Sequence, residues 1–192
     1  MSKSNQLRTL FDEYTEVFKG EEIVFGEGDM DSALMLVGEA PGKDEVKLSR
    51  PFVGAAGKNL SEFLDILGLE RKSVFVDNAI KYRLSKVNIK TGRVVNRPAA
   101  KEEIEKNRDY LLREVSIIKP KYIVTLGNVP LKSITGDYKI SIGEHHGKLI
   151  KIKVLDAEYS LYPLYHPASI IYNNSLKEVY KNDLANLKAI LC

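Results

Sequence analysis

Four short apolar runs bounded by turn residues punctuate the chain: "SALMLVG" (32–38), "SVFVDN" (73–78), "KYIVTLG" (121–127) and "YSLYPLYHP" (159–167). Runs of this length without polar alternation predict strands buried on both faces. Between the first two, "KNLSEFLDILG" sets Leu60, Phe63, Leu64 and Leu67 at helical spacing, and Gly68 supplies a C-terminal stop. Between the second and third, the segment from Pro98 to Pro120 carries acidic residues in its first turns. It aligns Ile104, Leu111, Val115 and Ile118 on one stripe, a helix that Pro120 ends. A short helix over about Pro130 to Ile134, a hairpin-like pair near 140–154 and a closing helix over "SLKEVYKNDLANLKAIL" complete the pattern. Strand and helix alternate, so the chain predicts an α/β fold with right-handed crossovers and a mainly parallel sheet covered on both faces. Ligands of such sheets bind beyond the carboxyl ends of the strands, which directs attention to 38–54, 78–97, 127–130 and 166–172.

Composition narrows the class. At 192 residues, 44% hydrophobic and without low-complexity runs, the chain suits one domain spanning 1–192. Its 29 Lys and Arg against 26 Asp and Glu leave +3, which permits an anionic partner without requiring one. No apolar run approaches the roughly 18 residues of a membrane span, and "MSKSNQLRTLFDEY" lacks the apolar core of a signal peptide. A soluble, cytoplasmic, monomeric protein with no membrane partner is expected. The sole cysteine, Cys192, excludes an internal disulfide and any thiolate-built metal or iron–sulfur site.

The segments after the strands carry the unusual chemistry. "GEAPGKDEV" (38–46) is a glycine-flanked turn whose backbone N–H groups can approach a phosphate or a base edge, with Glu39 and Glu45 beside it. It is not a Walker loop, because Asp44 follows Gly42-Lys43 where Ser or Thr is required. In "RPFVGAAGKNL", Phe52 sits in an irregular connection between Pro51 and Gly54, where its ring either plugs a gap or faces something flat. Asn78 ends the second run, a position where asparagine commonly caps a turn. His166 precedes Pro167 in "HPASII", and a lone histidine is more often structural than catalytic.

In order and approximate spacing, "GEAPG", "RPFVGAAG", "VDNAIKYR", "NRP", "VTLGNVP" and "YHPASII" resemble the family 4 uracil-DNA glycosylases, from about Val24 to the C-terminal helix. The resemblance implies a three-layer α/β/α sandwich around a four-stranded, mainly parallel sheet, and hydrolysis of the N-glycosidic bond of a flipped uracil to leave an abasic site. It implies that Phe52 stacks on the base, which cannot by itself tell one pyrimidine from another. Asn78 can: its carboxamide offers a donor for uracil O4 and an acceptor for N3–H, whereas cytosine presents the opposite pattern. His166 matches the position that hydrogen-bonds uracil O2 as charge develops, and Glu39 the acidic residue assigned to water positioning or electrostatic support. Gly38, Ala40, Pro41, Gly42, Glu45 and Asn96 complete the implied substrate site. Arg50, Lys58, Arg97, Gly127 and Asn128 are candidates for DNA contact, as are Lys43, Arg83 and Arg93, and Ile170 and Ile171 occupy the segment that enters the gap left by the flipped nucleotide.

Departures from the family matter too. The family holds a four-iron four-sulfur cluster through four cysteines, and the corresponding positions here are Phe11, Tyr14, Tyr82 and Asn107, none able to replace a thiolate. No cofactor is expected, and the cluster's volume should be filled by side chains. The segment 83–98 is longer than usual, and Val46 replaces a common second acidic residue. The insertion of the branch that bonds covalently to uracil DNA is missing. These changes leave two alternatives open: a glycosylase for another deaminated or mismatched base, or a nucleic-acid-binding protein of the same fold without catalysis.

Overall fold

The computed structural model describes residues 1–167, 169 and 175–191, the side chains at 55 and 56 apart. In chain order its strands are β1 (Glu27–Gly28), β2 (Leu34–Gly38), β3 (Phe75–Asn78), β4 (Ser85–Val87), β5 (Val94–Asn96), β6 (Tyr122–Leu126), β7 (Ile150–Val154) and β8 (Ala157–Leu164). Its helices are α1 (Lys3–Val17), α2 (Lys43–Leu48), α3 (Ala55–Leu67), α4 (Lys101–Ile118), α5 (Asn128–Thr135), α6 (Ile142–His145) and α7 (Leu176–Leu191). The four apolar runs become β2, β3, β6 and β8, which pair in parallel.

The main sheet has six strands in the order β1-β3-β2-β6-β8-β7, which corrects the expectation of four. Each edge of the parallel centre gains an antiparallel strand, β1 against β3 and β7 against β8. β1 has only two residues and no apolar run, so nothing in its composition announces it. The "IKIKV" of β7 alternates because one face packs and the other is open. The hairpin expected near 140–154 therefore lies later, with Ile150 opposite Leu161 and Val154 opposite Ala157. Ile142–His145 is instead a single helical turn whose N-cap Ser141 accepts from the Gly143 N–H.

Three layers follow from the strand alternation. Met35 and Val37 of β2 pack with Leu7, Leu111, Val115 and Leu131 of α1, α4 and α5. Leu34 and Leu36 point to the opposite face, against Leu60, Phe63 and Leu64 of α3 and Leu184 and Leu187 of α7. Helix α1 had no counterpart in the sequence reading. Its buried stripe is only Leu7, Leu10 and Tyr14, too narrow to stand out among polar neighbours.

A triad of charged side chains is sealed inside this framework. The Lys81 ammonium is 1% exposed and is held by Asp77 and by Glu114 Oε2 at 2.7 Å, both carboxylates being fully buried. Burial pulls the lysine toward neutrality, and the two carboxylates more than reverse this, so it stays charged. Burial, then the charge of Asp77, pushes Glu114 well above the usual carboxylate range. A proton on Glu114 makes the triad neutral and serves a side-chain hydrogen bond between Glu114 and Asp77.

Removing the cation should be costly. In Lys81→Met the buried Asp77 carboxylate loses its counter-ion, and urea denaturation should record a loss of about 3–5 kcal/mol. The native state then holds protons that the unfolded chain releases above the ordinary carboxylate value of 4.5. The loss should therefore be smallest below that pH and grow as pH rises. A pH-independent loss under 1 kcal/mol would contradict this account of the triad.

Candidate functional site

The carboxyl ends of β2 and β3 lie side by side, Gly38 opposite Asn78. The parallel ladder continues past both strands, the Ala79 and Ile80 N–H groups donating to the carbonyls of Gly38 and Glu39 at 2.8 and 3.0 Å. This fixes the first glycine-flanked turn against the loop after Asn78. Lys81 Nζ also donates to the Asn78 carbonyl at 3.2 Å, so the buried triad reaches the backbone of the site.

Phe52 comes to the same place from the loop ahead of α3. The Glu45 carboxylate organises that loop: Oε2 accepts from the Gly42 N–H at 3.1 Å, while Oε1 accepts from the Val53 and Gly54 N–H groups at 3.2 and 2.9 Å. Phe52 itself is held at φ 55°, a left-handed conformation that costs a bulky residue about 1–3 kcal/mol. Two glycines admit this arrangement. A Cβ at Gly57 would overlap the Phe52 carbonyl, and one at Gly38 would overlap both the tip of the Phe52 ring and Asn78 Oδ1. Ring and carboxamide therefore converge over Gly38.

A cavity of about 370 Å³ opens there, bounded by Phe52, Asn78, Ala40, Gly42, Asn96 and His166, with Lys43, Asp44, Glu45 and Gly54 at its margin. Asn78 is 3% exposed, and among the described residues its carboxamide has no hydrogen-bond partner. Asn96 is oriented by Arg83, whose Nε donates to its Oδ1 at 3.2 Å. A second cleft of about 330 Å³ shares Ala40, Asn96 and His166 and adds Glu39 and Pro41. Glu39 Oε1 accepts from the Ala99 N–H at 3.4 Å, and burial raises its pKa above the usual carboxylate value. Burial lowers the pKa of His166, which favours a neutral ring.

The residues expected to contact DNA divide. Arg50 forms a two-point pair with Glu27, and Arg97 another with Glu103 at 2.6 and 2.7 Å, so both guanidinium groups already have a carboxylate partner. Asn128 Oδ1 accepts from the Ile142 N–H at 2.8 Å, which commits its side chain to holding α6. Gly127 caps α5 at φ 98°, where a Cβ would come 3.4 Å from that of His166. Lys58 is exposed on α3. Ile170 and Ile171 lie outside the described residues. Lys81 and the orienting role of Arg83 were not legible, since a lysine in "NAIKYR" reads as a surface charge.

The four positions where the family carries cysteines do come together. The Tyr14 hydroxyl donates to Asn107 Oδ1 and accepts from the Lys81 N–H at 3.1 Å. Phe11 stacks on Phe25 at 4.1 Å, and Phe18 bridges Tyr14 and Tyr82 at 4.3 and 5.3 Å. Tyr14 is fully buried and Asn107 1% exposed, in a packed cluster with Leu10, Ile80 and Tyr110. These residues do not fit an iron–sulfur cluster, because rings occupy the space and hydroxyl and amide replace thiolate. Among the described residues no group of three or more His, Cys, Asp or Glu could hold a metal ion.

The residues that line the two clefts fall within 25–188, which match the model of the Uracil DNA glycosylase superfamily. The chain is 40% identical to the type-4 uracil-DNA glycosylase of Sulfurisphaera tokodaii, over 86% of its own length and 73% of that protein's. It is 36% identical to the type-4 uracil-DNA glycosylase of Pyrobaculum aerophilum over 83% and 79% of the two chains, and 34% identical to that of Archaeoglobus fulgidus over 84% and 78%. A family match that takes in the sheet and every cavity-lining segment means that this chain belongs to the uracil DNA glycosylase superfamily.

Proposed function

We propose that this protein is a DNA repair glycosylase that removes uracil from DNA by hydrolysing its N-glycosidic bond, and that it acts as a cytoplasmic monomer, with 1–192 as one domain. The observation that carries this reading is the convergence of the Phe52 ring and the Asn78 carboxamide over Gly38. A flipped base needs a surface to replace its lost neighbours, and stacking on an aromatic contributes roughly 1–3 kcal/mol. Asn78, buried and with no partner for its amide among the described residues, offers uracil both a donor and an acceptor. Cytosine would strand both groups, which is how a buried polar site discriminates.

Hydrolysis breaks the bond between C1′ and the base, with positive charge growing on the sugar and negative charge on uracil. A neutral His166 can donate a hydrogen bond to O2 as that negative charge develops, and its lowered pKa keeps it neutral at physiological pH. Glu39, in the cleft shared with His166, is suited as a carboxylate to orient the attacking water or to stabilise the sugar cation. Glu45 acts indirectly, holding the Phe52 loop in place. The reaction so described requires no metal and no cofactor. DNA carrying uracil or another deaminated base is the proposed partner. Among the described residues no helix is long and apolar enough to cross a membrane.

Three outcomes test this reading. Folded His166→Ala should bind DNA normally while its single-turnover release of uracil falls about 100- to 1000-fold, the usual loss for one oxyanion donor. A near-native rate would leave only the fold. The uracil release rate of the unsubstituted protein should rise with pH through an inflection above 4.5 as Glu39 ionises, and Glu39→Gln should be slow and lack that limb. Iron analysis should find no stoichiometric metal in the colourless purified protein, and chelators should not shift its denaturation midpoint. A visible charge-transfer band would overturn the cofactor-free reading.

A further inference from the structure

The segment 83–97, "RLSKVNIKTGRVVNR", contains five cations and no acidic residue. It folds as the β4–β5 hairpin, with Ser85 opposite Asn96, Lys86 opposite Val95 and Val87 opposite Val94. These strands pack chiefly on each other and stand apart from the main sheet. Two of the cations anchor the base: Arg83 lies 3.6 Å from Glu22, and Arg97 is paired with Glu103. The other three, Lys86, Lys90 and Arg93, are exposed, and among the described residues no carboxylate lies within ion-pair distance of them.

The register adds a second observation. Residues two apart on a strand share a face, so Val87 and Val94 lie on the same face as Asn96, which lines the base-sized cavity. Val87 is 61% exposed, Val94 52% and Ile89, at the turn, 98%. From Ser85 to Ile89 the arm reaches roughly 13 Å, at about 3.3 Å per residue. An apolar ridge thus runs outward from the rim of the site, while Lys86, one residue out of phase, projects from the opposite face and Lys90 and Arg93 lie toward the turn. Exposed aliphatic side chains on one face and positive charges on the other and at the tip suit a strand whose sugar and base edges meet the first and whose phosphates meet the second.

We infer that the β4–β5 hairpin is a DNA-binding arm: Lys86, Lys90 and Arg93 contact phosphates near the target nucleotide, and Val87, Ile89 and Val94 pack against sugar and base edges on the face shared with Asn96. This rests on the proposed action on DNA, but concerns affinity for any sequence and not the chemistry at the base. The arm supplies general attraction at the mouth of the pocket, so that the protein engages DNA before a base enters.

The test uses the full chain and undamaged DNA, single- and double-stranded, so that it does not depend on base excision. Binding is measured over a range of salt concentrations for the unsubstituted protein, for a Lys86→Gln, Lys90→Gln, Arg93→Gln variant and for a Val87→Thr, Ile89→Thr, Val94→Thr variant. All six positions are on the hairpin surface, and circular dichroism should report an unchanged fold. Loss of three phosphate contacts should reduce the slope of log K against log salt by about 2–3 and weaken binding about 10- to 100-fold near 0.1 M salt. The threonine variant should bind several-fold more weakly at an unchanged slope. If the unsubstituted protein releases uracil but neither variant alters slope or affinity, the arm does not bind DNA and an acidic protein surface becomes its occupant. If both variants change binding as stated while the unsubstituted protein releases no uracil, the arm stands and the glycosylase reading falls.

Discussion

The Lys81 ammonium, buried between Asp77 and Glu114, is the constraint on which the rest of this site depends. It joins three pieces of structure: the end of β3, the loop beyond it and the middle of α4. A charge taken out of water has no stable alternative to its partners, so the loop cannot drift without exposing or stranding it. Asn78, the residue best suited to read a base, lies next to Asp77 and has its carbonyl on the same ammonium. A neighbouring bond, from the Lys81 N–H to the Tyr14 hydroxyl, ties this network to α1 and to the aromatic cluster. An apolar residue at 81 would pack, but it would leave the Asn78 carbonyl without its ammonium donor.

The other wall of the cavity is built on a different principle. Phe52 is not fixed by burial alone; its backbone is in a conformation it would not choose, and the Glu45 carboxylate compensates by collecting N–H groups from both sides of the ring. Strain of this kind persists only where surrounding bonds over-determine it. The result is a ring presented rigidly at the end of β2, with Gly38 offering no side chain beneath it. A surface arranged before the ligand arrives loses little entropy on binding.

The aromatic cluster and the hairpin arm border the site, one buried and one exposed. Tyr14, Asn107 and stacked rings hold α1, α4 and the loop after β3 through packing and a hydrogen bond. The arm adds exposed surface at the rim through Asn96, which Arg83 orients.

Sequence by itself determined the parallel centre of the sheet, because strands buried on both faces must be continuously apolar and the helices between them must carry one apolar stripe. It also singled out Phe52, Asn78, His166 and Glu39, through their position after strands and their resemblance to one family. The edge strands were lost for a physical reason: β1 is too short for a pattern, and β7 alternates because only one of its faces is buried. Tertiary structure alone decided the partners of the charges. Lys81 and Arg50 look alike in composition, yet one is sealed between two carboxylates and the other lies on the surface with Glu27. A charge's role is set by the dielectric around it and the groups within about 4 Å, and those come from segments far apart in the chain. The same holds for the meeting of Phe52 and Asn78: each is visible in the sequence, but only the register of β2 against β3 places both over one glycine.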